Sequence, residues 1–554
     1  MSSSAFRSFG ARAVPLTTAA VVTLAAYTLH AQSGTRWAAK LDDTPFELVA
    51  NQPLKVPRIN FAGVPSTITP LVWGNNEFQT LLPDFNKRVV KAPTFATHLG
   101  ATPLRDLMIQ EKYGAAIDAR GDLWMWGAGH DPSGNVNRSL RGKKLTTIAA
   151  APGKVFVLSK DGRLFVVSAD RAFQDQGKAP RNWWKKLTTR DPLVDFVKLK
   201  AADGFHWGES WQQIAVGRHH LIAVTNKGRT FSLPLSNAAN SHRQLGTKQV
   251  FAVVPEDAVE AIAQSPNLPP ESDPRFATKL TEIPALSGIR IAQVAASDRS
   301  SFVRTPEGRV LGFGANDFGQ IGLGTYSTVA IVPTPVEIQL SKAYPSGTTV
   351  KCTGVAAGAQ STLFTVERVD SKTGATLVDI LSCGNGQSGT LGNGLWSSAM
   401  FAPQKVKSLS GLQEYSEKTK SITALGVYSL SIAPSPNTHA FGAIDSVQNA
   451  DAKGVKAGLF GRDVMEWGGN ADYQLGNGKR SSLAVPAYLE SPLPRAADKV
   501  EEKPDGEVVS RLSLHQNTAD AYDLSGNLIK RGVRAEETIV AGYSCSVLYN
   551  KIVS

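Results

Sequence analysis

The sequence predicts an all-β chain folded as a β-propeller, and three observations carry that prediction. A unit of apolar strand, turn, apolar strand and glycine-punctuated tail recurs at a spacing of tens of residues, the signature of a solenoid or propeller. The units fill nearly all of the chain after residue 70. The two incomplete units stand at its extremes, each holding the half that the other lacks.

The clearest unit runs from Ile291 to Gly324. It has an apolar run (Ile291 to Ala296), a second run (Ser301 to Arg304) and a turn at Thr305-Pro-Glu-Gly-Arg309. A third run (Val310 to Phe313) and the tail Gly314-Ala-Asn-Asp-Phe-Gly319-Gln-Ile-Gly322-Leu-Gly324 complete a small antiparallel sheet. Ala356 to Val366 and Leu381 to Gly394 repeat it, with an inserted loop, Glu367 to Thr376, in place of the tight turn. Val464 to Gly478 repeats the tail, and Ile214 to Arg229 repeats the front half. Fainter copies occupy Ala115 to Gly127, Ile148 to Val167 and Leu512 to Gly532, the last with Ser525-Gly526-Asn527 as its turn. Leu71-Val-Trp73-Gly74 to Gln79 has a tail without a front, and Ile539 to Leu548 a front without a tail. Pairing the last strands with the first makes one blade of these halves, which an open stack would have no reason to split, so a closed ring is expected.

At these residues the phrase apolar-Ala-Ala-Gly-x-x-His-apolar, followed by Asp-Gly-x-apolar-apolar-x-Trp-Gly-x-Asn-x-x-Gly-Gln-apolar-Gly, resembles the regulator of chromosome condensation repeat. The copies at 291–324, 352–394 and 421–478 carry it best. The resemblance implies seven blades, whereas the motifs count to eight units including the split one; seven is preferred. The expected organisation is a leader over 1–41, a linker over 42–70 and a single propeller over 71–554.

Residues 1–41 contain no Asp or Glu, while Arg7, Arg12, Arg36 and Lys40 stand among Ser, Ala and Thr. That is the composition of a mitochondrial transit peptide. Val14 to Ala31 within it is uncharged and about long enough to span a bilayer; a cleaved secretory signal is the alternative. Arginines flank the run on both sides, so the side of the membrane stays open, with a lean to the matrix. The net charge of +12 is spread along the chain, as in a solvated basic surface that meets anionic lipid or nucleic acid without specifying either. Cys352, Cys383 and Cys545 are few, odd in number and far apart, which reads as buried side chains rather than disulfides or a metal site.

Insertions at 177–210, 246–288, 434–461 and 496–507 interrupt the units. The first carries Trp183, Trp184, Lys185 and Lys186, a candidate partner-binding patch when not buried on the propeller flank, with Phe205-His206-Trp207 further on. A short helix is expected to begin near Pro255-Glu256-Asp257.

No stretch demands chemistry. Gly384-Asn-Gly386-Gln-Ser-Gly389 fits the dinucleotide fingerprint, yet no helix follows to bind a pyrophosphate, and equivalent glycines recur in other units. His220 stands where the repeat itself expects a histidine. The other histidines lack a carboxylate at triad or ligand spacing, and Asp118, Asp161 and Glu307 fall in or beside blade turns, where acids bond the backbone. No catalytic, cofactor-binding or metal residue is therefore assigned, and no enzyme is expected. The chain is similar to fungal mitochondrial members of the family. That resemblance implies a non-enzymatic scaffold tethered to the mitochondrial inner membrane, binding other proteins: respiratory-complex subunits or assembly factors, the cytochrome bc1 complex first. A guanine-nucleotide exchange factor for a mitochondrial small GTPase is the second reading. An RNA- or mitoribosome-binding propeller is the third.

Overall fold

A computed structural model describes residues 68–174, 194–247, 270–324, 329–369, 374, 376–412, 414–416, 421–423, 427–446, 461–492, 500–502 and 508–553. All of them lie in one compact unit, Gln52–Ser554. The leader with its candidate span 14–31, most of the linker, the helix expected near Pro255 and the patch Trp183 to Lys186 lie outside the described residues. No helix among those described is long and apolar enough to cross a membrane.

The described residues form seven antiparallel blades. Their first strands are Asp106–Ile109, Leu145–Ala151, Trp211–Val216, Gln293–Ala296, Thr349–Gly358, Val427–Ile432 and Leu528–Gly542, and we number the blades one to seven in that order. Blade four reads as the sequence predicted: Gln293–Ala296, Ser300–Arg304, Val310–Ala315 and Ile331–Glu337 pair in succession. Blade seven is the split one. Leu71–Asn75 pairs antiparallel with Cys545–Ile552, Leu71 opposite Leu548 and Gly74 opposite Cys545, so the ring is closed by strands from both ends of the chain.

The eighth unit is not a blade. Gln516–Tyr522 pairs with the first half of the long strand Leu528–Gly542, Gln516 opposite Glu536, as a hairpin added to blade seven. Its turn is where the sequence put it, with Gly526 N–H donating to Asp523 O at 2.9 Å. Strands were also hidden in the insertions: Val197–Ala201 and Lys279–Glu282 are the outer strands of blades two and three. They pair in parallel, Lys200 opposite Lys279, joining the two blades at the rim.

Every blade is buried on both faces, and the strand period of two divides its side chains between two neighbours. In blade four, Phe302 packs with Phe364 and Val366 of blade five, while Val303 packs with Ile222 and Val224 of blade three. In blade two, Leu164 and Val166 face blade three, and Phe165 and Val167 face blade one. The core is thus a series of interblade layers rather than one mass, which is why a long chain can fold this way. The three thiols lie in these layers, free and buried, and burial raises the Cys352 thiol to about 12.

The tail motif has a local and a long-range role. Its asparagine caps the turn: Asn316, Asn470 and Asn76 Oδ1 accept the N–H of Ile321, Leu475 and Leu81 at 3.0, 2.9 and 2.9 Å. With this cap, or in blade five with Gly386 in the asparagine's place, the turn offers a carbonyl to the next blade. Thr390 O accepts Trp467 Nε1–H at 2.7 Å, Gln474 O accepts Trp73 Nε1–H at 2.6 Å, and Thr80 O accepts Trp126 Nε1–H at 2.7 Å. Where the third strand carries Phe or Cys instead of Trp, a hydroxyl of the second strand substitutes: Ser301 donates to Gln244 O and Thr362 to Gln320 O, at 2.8 and 2.7 Å. The glycine before the tail is needed for close approach. Gly384 sits at φ 110°, and a Cβ there would fall 2.2 Å from Gln360 O.

Candidate functional site

At one end of the ring axis, the turns between first and second strands surround a cavity of about 300 Å³. Each blade supplies part of its wall: Gln110, Ala150, Gly217, Ser297, Ala359, Pro434 and Tyr543. The small residues of the apolar-Ala-Ala-Gly phrase put backbone at the wall and leave the opening to a few polar side chains.

The frame is stitched from blade to blade. Arg218 N–H donates to Asp298 O, Asp298 N–H to Ala359 O and Tyr543 N–H to Ile109 O, each at 3.1 Å. Below them, polar side chains of the inner strands bond the next blade's backbone. Asp106 Oδ2 accepts Ile148 N–H at 2.8 Å, Gln213 Oε1 accepts Val294 N–H at 3.2 Å, and Gln293 Oε1 accepts Val355 N–H at 3.2 Å. With its backbone groups paired across blades, the mouth is a pre-formed surface.

Its charges are Glu111, Arg218 and Asp298. Burial raises the Asp298 carboxyl above the usual carboxylate range, opposed by Arg218 and Arg299. Burial also raises the Tyr543 hydroxyl, helped by the negative charge of Glu111. Ser297 Oγ lines the same cavity, buried and without a hydrogen-bond partner among the described residues. The mouth therefore offers an exposed guanidinium, two carboxyls, a phenol and a hydroxyl on an apolar rim, a set suited to binding polar side chains of a protein segment.

The histidines and acids in or beside the blade turns make local structural contacts. His219 Nδ1 and Ser236 Oγ are 2.9 Å apart, a contact the sequence reasoning missed because 17 residues separate them. The Ser236 hydroxyl is buried and accepts Ala238 N–H at 3.2 Å, so it caps a turn. His220 is fully buried, its Nε2 is 2.9 Å from Ser301 Oγ, and desolvation lowers it to about 3. Asp118 accepts Gly121 N–H, Asp122 N–H and Trp124 Nε1–H, as an acid in a blade turn should. Gly386, Gly389 and Gly392 form consecutive turns, with Gly389 N–H donating to Gly386 O and Gly392 N–H to Gly389 O. Among the described residues no group of three His, Cys, Asp or Glu could hold a metal.

Comparison with known proteins places these observations. Residues 307–365 match the model described as the regulator of chromosome condensation (RCC1) repeat, and residues 291–320 match a second model of that repeat. The chain is 22% identical over 309 residues to "Protein FMP25, mitochondrial" of Saccharomyces cerevisiae, covering 53% of this chain and 49% of that protein. It is 31% identical over 111 residues to the human "Probable E3 ubiquitin-protein ligase HERC3", 20% of this chain and 8% of that one. The alignment thus spans about half the length of the yeast relative. Among solved structures, Prp20p of Saccharomyces cerevisiae aligns with a TM-score of 0.52 at 15% identity, covering 92% of this chain and 95% of that one. Human WBSCR16 aligns with a TM-score of 0.52 at 14% identity, covering 87% and 98%. At such identities these structures share the fold.

Proposed function

Because the chain belongs to the β-propellers built from regulator of chromosome condensation repeats, with a distant yeast mitochondrial relative, we propose that it is a non-enzymatic docking scaffold of the mitochondrion. The observation that carries this reading is the channel mouth. Seven turns from seven blades converge there on a frame held by interblade bonds, with Arg218, Asp298 and Tyr543 among its polar groups. Such a mouth holds a partner's loop by shape and charge, with Arg218 and Asp298 as its polar contacts and alanines and prolines as its rim.

We place the scaffold at the inner membrane, held by the leader, with subunits or assembly factors of a respiratory complex as its partners and the cytochrome bc1 complex first among them. The motif-level likeness and the acid-free leader support this reading. The test is purification of the carboxy-terminally tagged chain from mitochondria after mild detergent, alongside the Arg218→Glu/Tyr543→Ala variant. Respiratory-complex proteins are expected with the parent chain and lost with the variant. Recovery of a GTPase or of ribosomal proteins instead, or partners indifferent to the variant, overturns the reading.

A further inference from the structure

Trp207 is 97% exposed, although it belongs to a turn that is firmly built. Glu209 N–H donates to His206 O at 3.0 Å, and His206 N–H donates to Glu209 Oε2 at 2.8 Å. The Glu209 side chain is buried and also accepts from Thr225 Oγ1 at 2.6 Å and Arg229 Nη1 at 3.0 Å. Gly204 and Gly208, both at positive φ, bracket the turn, and Asn226 Nδ2 anchors it by donating to Gly208 O at 3.0 Å. A buried carboxylate network thus holds an indole in water, where it makes almost no contact with its own chain.

The surroundings are basic. Ser210 and Trp211, which end the turn, bond the second-to-third-strand turns of both neighbouring blades: Asn226 N–H donates to Ser210 O and Trp211 N–H to Gly162 O. Exposed Lys227 and Lys160 belong to those turns. Lys198, Lys200 and Lys279 are exposed on the two rim strands that pair in parallel, the first of which leads into the loop. Of the nearby carboxylates, Asp161, Glu209 and Glu282 are engaged by Arg163 or Arg229 and Asp203 is exposed in the loop itself, so five lysines still leave an excess of positive charge.

We propose that Trp207 and these lysines form a dock for an anionic phospholipid bilayer. An indole standing proud of a lysine rim is the geometry of an interfacial anchor: the ring enters the headgroup layer while the ammonium groups reach its phosphates. A nucleic-acid strand is instead held along a groove with successive aromatic platforms, and the neighbouring Phe205 is packed edge-on against Trp211 with 4.8 Å between ring centroids. Strand Trp211–Val216 leads from this loop to the channel mouth, so a docked membrane leaves the mouth free for a partner. The dock is independent of what that mouth binds.

The test is flotation of the full chain with vesicles of phosphatidylcholine alone or with about one third phosphatidylglycerol. Phosphatidylcholine alone measures what the rest of the chain contributes. Phosphatidylglycerol is expected to tighten binding, and Lys198→Glu/Lys200→Glu/Lys279→Glu is expected to weaken that anionic component by about a hundredfold or more, at about fivefold per neutralised lysine and more on reversal. Trp207→Ala is expected to weaken it severalfold with an unchanged thermal transition. Binding that ignores either variant, or variants that abolish binding to single-stranded RNA but not to vesicles, overturns the proposal.

Discussion

The junctions from blade three round to blade one and the two remaining junctions, one to two and two to three, solve the same problem differently. In the first set the glycine-punctuated tail presents a backbone carbonyl that receives a Trp N–H or a hydroxyl from the next blade. Blades one and two lack that tail, and another position takes over. Tyr113 OH donates to Ala151 O at 2.6 Å, and Lys154 Nζ donates to Leu235 O at 3.0 Å. Tyr113 and Lys154 start the second strand, the place His220 and His439 hold in blades three and six, and those histidines also reach the next blade. The two kinds of junction therefore run in opposite directions: at the regular ones the following blade donates to the tail carbonyl of the preceding blade, and at the other two the preceding blade donates to a carbonyl of the following one. The tails of blades four to seven were legible, since a recurring turn keeps recurring residues.

Removing a regular latch together with its ring has the largest expected effect. Trp467 is fully buried and packs with Leu363, Ile380 and Met465 across blades five and six. Trp467→Ala is expected to cost about 3–5 kcal/mol from the cavity, beyond the unpaired Thr390 carbonyl. Chemical denaturation with fluorescence detection reads this out; a loss below about 1 kcal/mol would show that the junctions do not share their stability cooperatively.

Two buried ionisable groups sharpen the comparison, one at each kind of junction. Lys154 serves an irregular junction, and desolvation lowers its ammonium to about 7. Between that value and the ordinary 10.5, the unfolded chain holds a proton that the folded chain has released, so stability rises with pH across that window. Lys154→Met is expected to flatten the rise and to lift the thermal transition at neutral pH, as measured by melting at a series of pH values from about 7 to 10. Glu466 stands in blade six, fully buried, with neither carboxylate oxygen bonded among the described residues. Desolvation raises it well above 4.5. The sign is opposite: stability is fully present below 4.5 and falls as pH climbs towards the folded value, because only the unfolded state ionises there. The same place two residues before the strand-ending position holds Ser232 and Ser382 in blades three and five, which donate to Leu245 O and Leu391 O at 2.9 and 2.7 Å. Glu466→Ser is expected to raise stability at pH 7 by about 1–3 kcal/mol and to remove the acid-side slope. An unchanged slope would mean that another group sets it.

Much of the fold was readable because strand period and glycine spacing are local. The split blade was readable too, since a front at Ile539 and a tail at Trp73 are complementary halves of one motif. The latches were not, because donor and acceptor stand up to 401 residues apart, as in Trp73 and Gln474. The overcount arose where local evidence was true but insufficient: Ser525-Gly526-Asn527 is a hairpin turn, yet its strands extend blade seven instead of founding another. Rim strands Val197–Ala201 and Lys279–Glu282 were passed over because they carry exposed polar residues rather than apolar runs. Trp207 could be noticed as outside the repeat, but its exposure depends on Glu209 folding under it, which only the structure displays.

The smallest expected effect separates two latches that look alike. Gln474 O receives Trp73 Nε1–H at 2.6 Å and also Ser546 Oγ–H at 2.7 Å, whereas the indole of Trp467 is matched at Thr390 O by no second hydroxyl among the described bonds. Trp→Phe keeps most of the ring and deletes the donor. Trp467→Phe therefore leaves a buried carbonyl unpaired, at about 1–3 kcal/mol, while Trp73→Phe leaves Gln474 O still bonded to Ser546 and is expected to cost about 1 kcal/mol or less. Adding Ser546→Ala to Trp73→Phe should restore the difference, so the double variant is expected to lose more than the sum of the two single changes. Strict additivity in that cycle would mean that the two donors do not share the carbonyl.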